Sequence, residues 1–550
     1  MRVENFVKLY EGSFKENFDF PAINEYGTSN SYTYGEMAQE IAKLHILFEA
    51  AKIQKGDKIA LIGKSSCKWC IAYLATATYG AIVVPILQDF NPNDIQHIIN
   101  HSESAFLFVV DSIWDTLEEE KLSDLRAAFS LSDFGLKYQK GEENINVIVA
   151  ELPALFAKKY PKFERKNIVY PEISDDEVIV LNYTSGTTGF SKGVMITGSN
   201  LSGNLTFGHE HFHMKPGDNM LSFLPLAHTY GTAFEFLYAL STGCQMVILG
   251  KTPSPKILLK AFADVRPGLI LSVPLILEKI YKNMILPMLA KTSMKLALSV
   301  PMLDKTIYAQ FRKKLIAAFG GKFVQIIIGG APLNAEVEGF FRKIDFPMSV
   351  GYGMTECAPL ISFTLYPNSP AYSCGKILRQ MEVRIDSEDP YNIAGEIQVR
   401  GQHVMHGYYN NEEATKAVFT DDGWLKTGDL GTIDKDNNIY IRGRLKSLIL
   451  SASGQNIYPE EIEAKLDNLP FVMESLVVER EGKLVALVYP DYDAMASIGL
   501  DETDFNKLMD KNRETLNRTV ANFEKISKIE LYAEEFEKTP KKSIKRYLYK

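Results

Sequence analysis

Cysteine is scarce, with five residues in a chain of 550. That excludes a disulfide-stapled scaffold. The one C-x-x-C, Cys67 and Cys70, has no second pair with which to cage zinc. Lys68-Trp69 between them lies in an apolar stretch that reads as a buried helix, so free core thiols in a reducing cytoplasm are expected. An excess of positive charge is also missing. There are 60 Lys and Arg against 68 Asp and Glu, a net charge of −8, which argues against nucleic acid as the main partner. Long apolar runs are absent. The most apolar window, 69–87, is broken by Gly80 and Pro85. It reads as a buried helix over 69–79 running into a strand over 81–86, not as a membrane span. The opening MRVENFVKLYEGSFKENF has no apolar core of signal-peptide length, so a cytoplasmic protein is expected. No internal repeat or low-complexity tract is found.

What is present reads as ordinary globular protein, 46% apolar and 23% charged, and long enough for two or more domains. Short β-branched runs recur between helical patterns at 58–62, 81–86, 105–110, 178–181, 246–249, 269–273 and 323–328. Strands buried on both faces look like this, and their alternation with helices points to α/β layers. After about residue 370 the texture changes. Runs at 381–385, 395–400 and 431–433 alternate between Gly- and Asp-rich turns, which predicts a small antiparallel sheet or barrel. Beyond residue 446 come a helix over 459–469, strands over 473–478 and 484–488, and a polar helix over 502–520. That is enough for a small α+β domain.

Four stretches carry chemistry. Tyr183-Thr184-Ser185-Gly186-Thr187-Thr188-Gly189-Phe190-Ser191-Lys192-Gly193 follows a strand and is expected to lead to a helix beginning near Ser199-Asn200. Backbone N–H groups freed by glycines, hydroxyls and the Lys192 ammonium can cradle phosphate oxygens. The spacing is not that of a Walker loop, and taken alone the stretch serves equally as a flexible surface loop. Gly351-Tyr352-Gly353-Met354-Thr355-Glu356 puts a carboxylate beside a hydroxyl and an aromatic ring, which suits a metal–nucleotide site or a tight turn with a solvated Glu. Asp429, between Gly428 and Gly431, suits ribose hydroxyls or an Asx-turn. Gly443-Arg444-Leu445-Lys446-Ser447 reads as a linker, and Tyr458-Pro459-Glu460-Glu461 as a helix start.

In this order the stretches resemble the signature motifs of the adenylate-forming, AMP-producing ligases. That superfamily includes acyl-CoA synthetases, aryl-CoA ligases, luciferases and peptide-synthetase adenylation domains. Leu224-Pro225-Leu226-Ala227-His228-Thr229-Tyr230-Gly231, Gly329-Gly330-Ala331-Pro332-Leu333, and Gly395-Glu396-Ile397 through Gly407-Tyr408-Tyr409 extend the resemblance, which runs from about residue 20 onward. It implies an α/β fold. A large N-terminal domain, residues 1–442, holds two α/β-layered subdomains plus a small β-barrel-like one. A hinge follows at 443–447, then a small mobile α+β domain over 448–550.

The resemblance also implies the reaction. A carboxylate attacks the α-phosphate of Mg²⁺-bound ATP, giving an acyl-adenylate and pyrophosphate, and the thiol of CoA then displaces AMP. Positioning and charge neutralisation do the work. Carried over, Thr184, Ser185, Gly186, Thr187, Thr188 and Gly189, with Lys192, hold the departing phosphates. Thr355 touches the α-phosphate, and Glu356 with Thr184 binds Mg²⁺. Gly330, Ala331 and Tyr352 wall the adenine, Gly353 also binds ATP, and Asp429 and Arg444 take the ribose. His228 sits near the acyl carboxylate. Lys446 is the hinge about which the C-terminal domain turns to bring Gly454 to the CoA channel.

The tail departs from the pattern. In Lys538-Thr539-Pro540-Lys541-Lys542-Ser543-Ile544-Lys545-Arg546 the family's adenylation lysine falls on Ser543. Either Lys541, Lys542 or Lys545 takes its place after a register shift, or adenylation is impaired. The basic tail also offers a peripheral contact with an anionic membrane surface. The forms Pro225-Leu226-Ala227-His228 and Gln455-Asn456-Ile457-Tyr458-Pro459 look most like long-chain fatty acid–CoA ligases. The chain ends just past the small domain, which argues against a synthetase module. An acyl-[acyl carrier protein] ligase, an aryl-acid ligase and an adenylation-impaired acyl-adenylate binder remain as alternatives, and chain length and oligomeric state stay open.

Overall fold

Lys58–Ile62 is central to an eight-stranded sheet, flanked in parallel by Ile82–Ile86 and Ser104–Val109. All but its first residue are buried, which accounts for its unbroken apolar run. Val178–Thr184 and Ala127–Ser130 extend the parallel sheet on either side. Antiparallel Lys192–Thr197 followed by Gly407–Tyr408 forms one edge and Leu136–Gln139 the other. The computed structural model describes residues 2–141, 143–184, 191–450, 455–492, 494–495, 502–539 and 543–549. The helix Cys67–Tyr79 starts where the Ser66 side chain accepts from Trp69 N, and it ends at Gly80 with φ +97°. Both of its cysteines are buried, and burial pushes the Cys67 thiol up to about 12, as suits an inert core thiol.

A second sheet runs Asn219–Ser222, Gln245–Ile248, Pro21–Glu25 and Ser31–Thr33. A bridge from Met220 to Leu269 joins it to the parallel trio Ile270–Ser272, Ile326–Ile328 and Met348–Val350. These are the two expected α/β layers. The expected small antiparallel unit consists of Met381–Asp386, Gly395–Gly401, Leu425–Ile433 and Ile439–Arg444. Its first and last strands lie at opposite edges, so it is an open four-stranded sheet and not a closed barrel.

One hydrophobic core extends from Val3 to Ile439. Two others line the faces of a sheet made of Val472–Arg480, Lys483–Pro490 and Lys528–Leu531. Val477, Ala486 and Val488 face the helices Pro459–Leu466 and Glu502–Asn517, while Leu476, Val485 and Leu487 face Phe536. That is the period-two alternation of a strand with both faces covered. This C-terminal unit docks on the large one through polar contacts. Asn334 Nδ2 donates to Ala464 O at 2.7 Å, Asn468 Nδ2 donates to Asn334 Oδ1 at 3.0 Å, and Lys282 Nζ donates to the Asp467 carbonyl at 3.3 Å.

The helix expected near Ser199-Asn200 is present, but a strand that the sequence reading did not foresee precedes it. The strand Lys192–Thr197 intervenes, with Lys192 opposite Thr184 and Thr197 opposite Val178. The helix Gly198–His211, capped by Thr197 accepting from Asn200 N, therefore starts at the far end of this hairpin. Among the described residues, the N-terminus of this helix is thus separated from Thr184 and Lys192 by the length of the hairpin.

Candidate functional site

The hairpin brings Thr184 and Lys192 side by side at the base of the loop. The Lys192 ammonium lies over the Tyr408 ring, 4.8 Å from its centre. The Tyr408 hydroxyl in turn donates to Glu356 Oε1 at 2.9 Å. Three motifs far apart in the chain thus meet in one run of cation, phenol and carboxylate. Burial, reinforced by Glu356, pushes the Tyr408 phenol up, so it remains a donor. Tyr408 was not singled out from sequence as a site residue, although its motif was. Beneath the loop, Tyr183 Oη lies 2.7 Å from His101 Nδ1, which fixes the strand end.

Thr355 is buried and Glu356 half-buried in a short helical turn, Thr355–Cys357. The turn is aimed by a tight backbone crossing. A Cβ on Gly353 would lie 2.1 Å from the Pro359 carbonyl oxygen, so no larger residue fits there. Tyr352, just before it, donates from Oη to Asp429 Oδ2 at 2.8 Å. Asp429 lies within the strand Leu425–Ile433, not in a turn, and directly opposite Arg444. Arg444 Nε reaches its other oxygen at 3.2 Å. Burial pushes the Asp429 carboxyl up, while Arg444 and the Tyr352 hydroxyl oppose that shift. Tyr352 therefore joins Asp429 and Arg444, the pair expected at the ribose, in a second convergence.

A third wall joins two further motifs. Gly330, at φ +86°, turns the chain after Ile326–Ile328, and Gly329 N donates to Ser272 O at 3.1 Å. The Tyr230 ring packs on Gly329, and its hydroxyl donates to Ile327 O at 3.1 Å. Gly330 and Ala331 are exposed at this turn, while His228 is half-buried two residues before Tyr230. The Pro225–His228 turn is clamped by hydrogen bonds between its backbone and the side chains of buried Asn182 and half-buried Ser65. Asn182 Nδ2 donates to Ala227 O at 3.0 Å, and Leu226 N donates to Ser65 Oγ at 3.2 Å.

Glu235 completes the clamp and was missed from sequence. It is fully buried in the π-helical stretch Gly231–Leu237. It accepts from Ser222 Oγ at 2.8 Å, Leu224 N at 3.2 Å and Phe223 N at 3.4 Å. A lone acid in the apolar run Ala233-Phe234-Glu235-Phe236-Leu237 was the available signal. Burial pushes its carboxyl from the ordinary 4.5 up to about 8, against the three donors. Across that interval the folded chain holds a proton that the unfolded chain has released. The resulting stability is full below pH 4.5 and is lost as pH rises through 8. Glu235→Gln should therefore flatten the decline in stability between pH 4.5 and 8, read by urea unfolding at each pH. Glu235→Ala should cost about 1–3 kcal/mol, because it leaves buried donors unmet. A parallel decline in wild type and E235Q would exclude Glu235 as its source.

Ser185, Gly186, Thr187, Thr188 and Gly189, Gly454, and Lys541 and Lys542 lie outside the described residues. Lys446 is exposed in the short turn Leu445–Ser447. Lys545 pairs with Glu537 at 3.2 Å, and Arg546 with Glu463 at 2.6 Å, all within the C-terminal unit. Ser543 is exposed. No group of three or more His, Cys, Asp or Glu poised for a metal occurs among the described residues. No described helix is long and apolar enough to cross a membrane.

The model of one protein family, described as AMP-binding enzyme, matches residues 11–409. The long-chain-fatty-acid–CoA ligase FadD15 of Mycobacterium bovis is 28% identical, over 94% of this chain and 90% of its own. The 4-coumarate–CoA ligase CCL1 of Humulus lupulus is 26% identical, over 99% and 93%. Among solved structures, ATP-bound MatB from Rhodopseudomonas palustris superposes with a TM-score of 0.77 at 23% identity, covering 99% of this chain and 98% of that one.

Proposed function

The chain belongs to the AMP-binding enzyme family, and from that premise we propose that it joins a fatty acid to CoA through an acyl-adenylate, with loss of pyrophosphate and then AMP. Its similarity to acid–CoA ligases supports the reaction type. The observation that carries the reading is the meeting of Lys192, Tyr408 and Glu356 beside the cluster of Tyr352, Asp429 and Arg444. One group supplies charge for phosphates and a metal. The other supplies a ring and a carboxylate for a nucleoside.

In this reading Thr184, the loop over 185–189 and Lys192 hold the β,γ-phosphates as they leave. Thr355 contacts the α-phosphate. A single carboxylate, Glu356, with Thr184 nearby in the strand, fits Mg²⁺, which keeps waters and phosphate oxygens among its ligands and needs no protein cage. Mg²⁺ would neutralise phosphate charge, and Tyr408 orients the carboxylate toward it. Tyr352, Gly353, Gly330 and Ala331 border the base, with Asp429 and Arg444 at the ribose. His228, on its clamped turn, faces the acid. Lys446 is the hinge between the units 1–442 and 448–550, and Gly454 then lines the way for CoA.

ATP/pyrophosphate exchange across a panel of fatty and aryl acids tests the reading, followed by product mass with CoA and acyl carrier protein offered together. Exchange highest with long-chain acids and an acyl-CoA product are expected. Silence with every acid would remove the ligase assignment. Exchange with aryl acids alone, or an acylated carrier protein, would move it to the corresponding alternative. Ser543 at the family's lysine position favours one second reading, an adenylation-impaired acyl-adenylate binder.

A further inference from the structure

Residues 279–322 carry nine Lys and Arg and one acidic residue, Asp304, in a chain whose net charge is −8. The same segment concentrates exposed apolar side chains. Met284, Met288, Leu296, Val300, Met302 and Leu303 all face solvent, Leu296 at 69% and Met302 at 79%. Its helices Leu286–Leu289 and Thr292–Leu298 bury no residue at all, despite sequences rich in Leu and Met. Helices this short do not persist in water without packing. Here Thr292–Leu298 lies between Leu286–Leu289 and Leu303–Ala318, so the exposed apolar residues sit on helices in contact. Met302, the most exposed of the segment's large apolar residues, is held at φ +75°, a strained turn for a side chain of this size.

Apolar residues scattered singly need no partner, whereas a clustered set on adjoining helices does. Charge decides which partner. Two copies of this surface would set like charges against each other, and an uncharged protein face would leave the lysines without partners. An anionic lipid surface meets both features, taking the Met and Leu side chains at the headgroup boundary and the ammonium groups among the phosphates. Exposed Lys291, Lys295 and Lys305 flank the apolar residues. Lys282 is turned away and donates to the carbonyls of Val472 and Asp467.

The segment also leaves directly from the site. It follows the strand Ile270–Ser272, and Val273 Cγ1 lies 3.9 Å from where a Cβ on Gly330 would stand. We propose that residues 284–303 dock on an anionic membrane surface and that a long-chain acid enters the site from there. The second part rests on the fatty acid reading above, while the docking does not.

Cosedimentation of the full chain with vesicles of phosphatidylcholine alone, and with one quarter phosphatidylglycerol, tests the docking without any substrate. Binding to the anionic vesicles only is expected. Lys291→Glu/Lys295→Glu should weaken it by about 25-fold or more, since each lysine near such a surface contributes about fivefold. Leu296→Asp/Met302→Asp should reduce it at least about tenfold. Unchanged thermal melting would show that both variants fold. No sedimentation would overturn the proposal, as would equal binding to neutral vesicles, or self-association through this face in light scattering without lipid binding. It would also fail if Lys541→Glu/Lys542→Glu alone abolished binding, because the basic tail would then be the docking element. Failure of the acid panel with docking intact would sink the fatty acid reading and leave the membrane surface standing.

Discussion

Glu356→Gln should lower ATP/pyrophosphate exchange by roughly 10²–10³-fold, with little change in folding. The substitution is isosteric, and the amide oxygen still accepts the Tyr408 hydroxyl that Glu356 Oε1 accepts at 2.9 Å. What it removes is one negative charge. In the proposed site that charge holds Mg²⁺ against the phosphates, and its loss falls most heavily where phosphate charge is redistributed in the transition state. The loss should therefore appear chiefly in the maximal exchange rate. Raising Mg²⁺ should recover part of it, which a merely structural Glu would not show. Tyr408→Phe provides the contrast. It keeps the charge and loses only the orienting hydrogen bond, so its loss should be about tenfold or less. Wild-type exchange in E356Q would remove Glu356 from the chemistry and, with it, the metal assignment.

The parallel strands were legible because each is an unbroken β-branched run covered on both faces, as in Lys58-Ile59-Ala60-Leu61-Ile62. Pro21–Glu25 and Asn219–Ser222 were not, since Pro-Ala-Ile-Asn-Glu and Asn-Met-Leu-Ser are short and half polar. Only their pairing with Gln245–Ile248 makes strands of them. Lys192–Thr197 escaped for a different reason. A glycine-rich loop after a strand invites a helix, and nothing local reports that the chain doubles back to pair with Val178–Thr184. At the site, motifs announced residue types but not their meetings. Tyr352 and Asp429 stand 77 positions apart, and Tyr408 and Glu356 52 apart, so only the fold joins them. Glu235 left a readable trace, a charge amid apolar residues. Its partners at Ser222, Phe223 and Leu224 depend on a π-helical turn that no periodicity reveals.

Ser543→Lys should raise the rate of adenylate formation by roughly 10²–10³-fold, the worth of a charge-assisted contact made in the transition state. The argument turns on register. Arg546 grips Glu463 through hydrogen bonds of 2.6, 2.7 and 2.8 Å. Ile544 packs on the outer core of the C-terminal sheet and bridges to Lys538, and Thr539 N donates to Ser543 O at 2.8 Å. Sliding the tail by one residue to bring Lys542 into the slot would withdraw Arg546 and leave the Glu463 carboxylate unpaired, at a cost of about 3–5 kcal/mol. It would also turn Ile544 out of its core. Lys545 is already occupied by Glu537 at 3.2 Å. The anchors therefore hold Ser543 in the register that the resemblance gives to the lysine, and a lysine placed there by mutation inherits their geometry. Single-turnover formation of acyl-adenylate in wild type, S543K, Lys542→Ala and Lys545→Ala separates the readings. Slow wild-type chemistry rescued by S543K would support an adenylate binder that has lost its catalytic cation. Brisk wild-type chemistry, indifferent to S543K and abolished by Lys542→Ala, would show that a neighbouring lysine has taken the role and that the Arg546–Glu463 anchor yields during turnover.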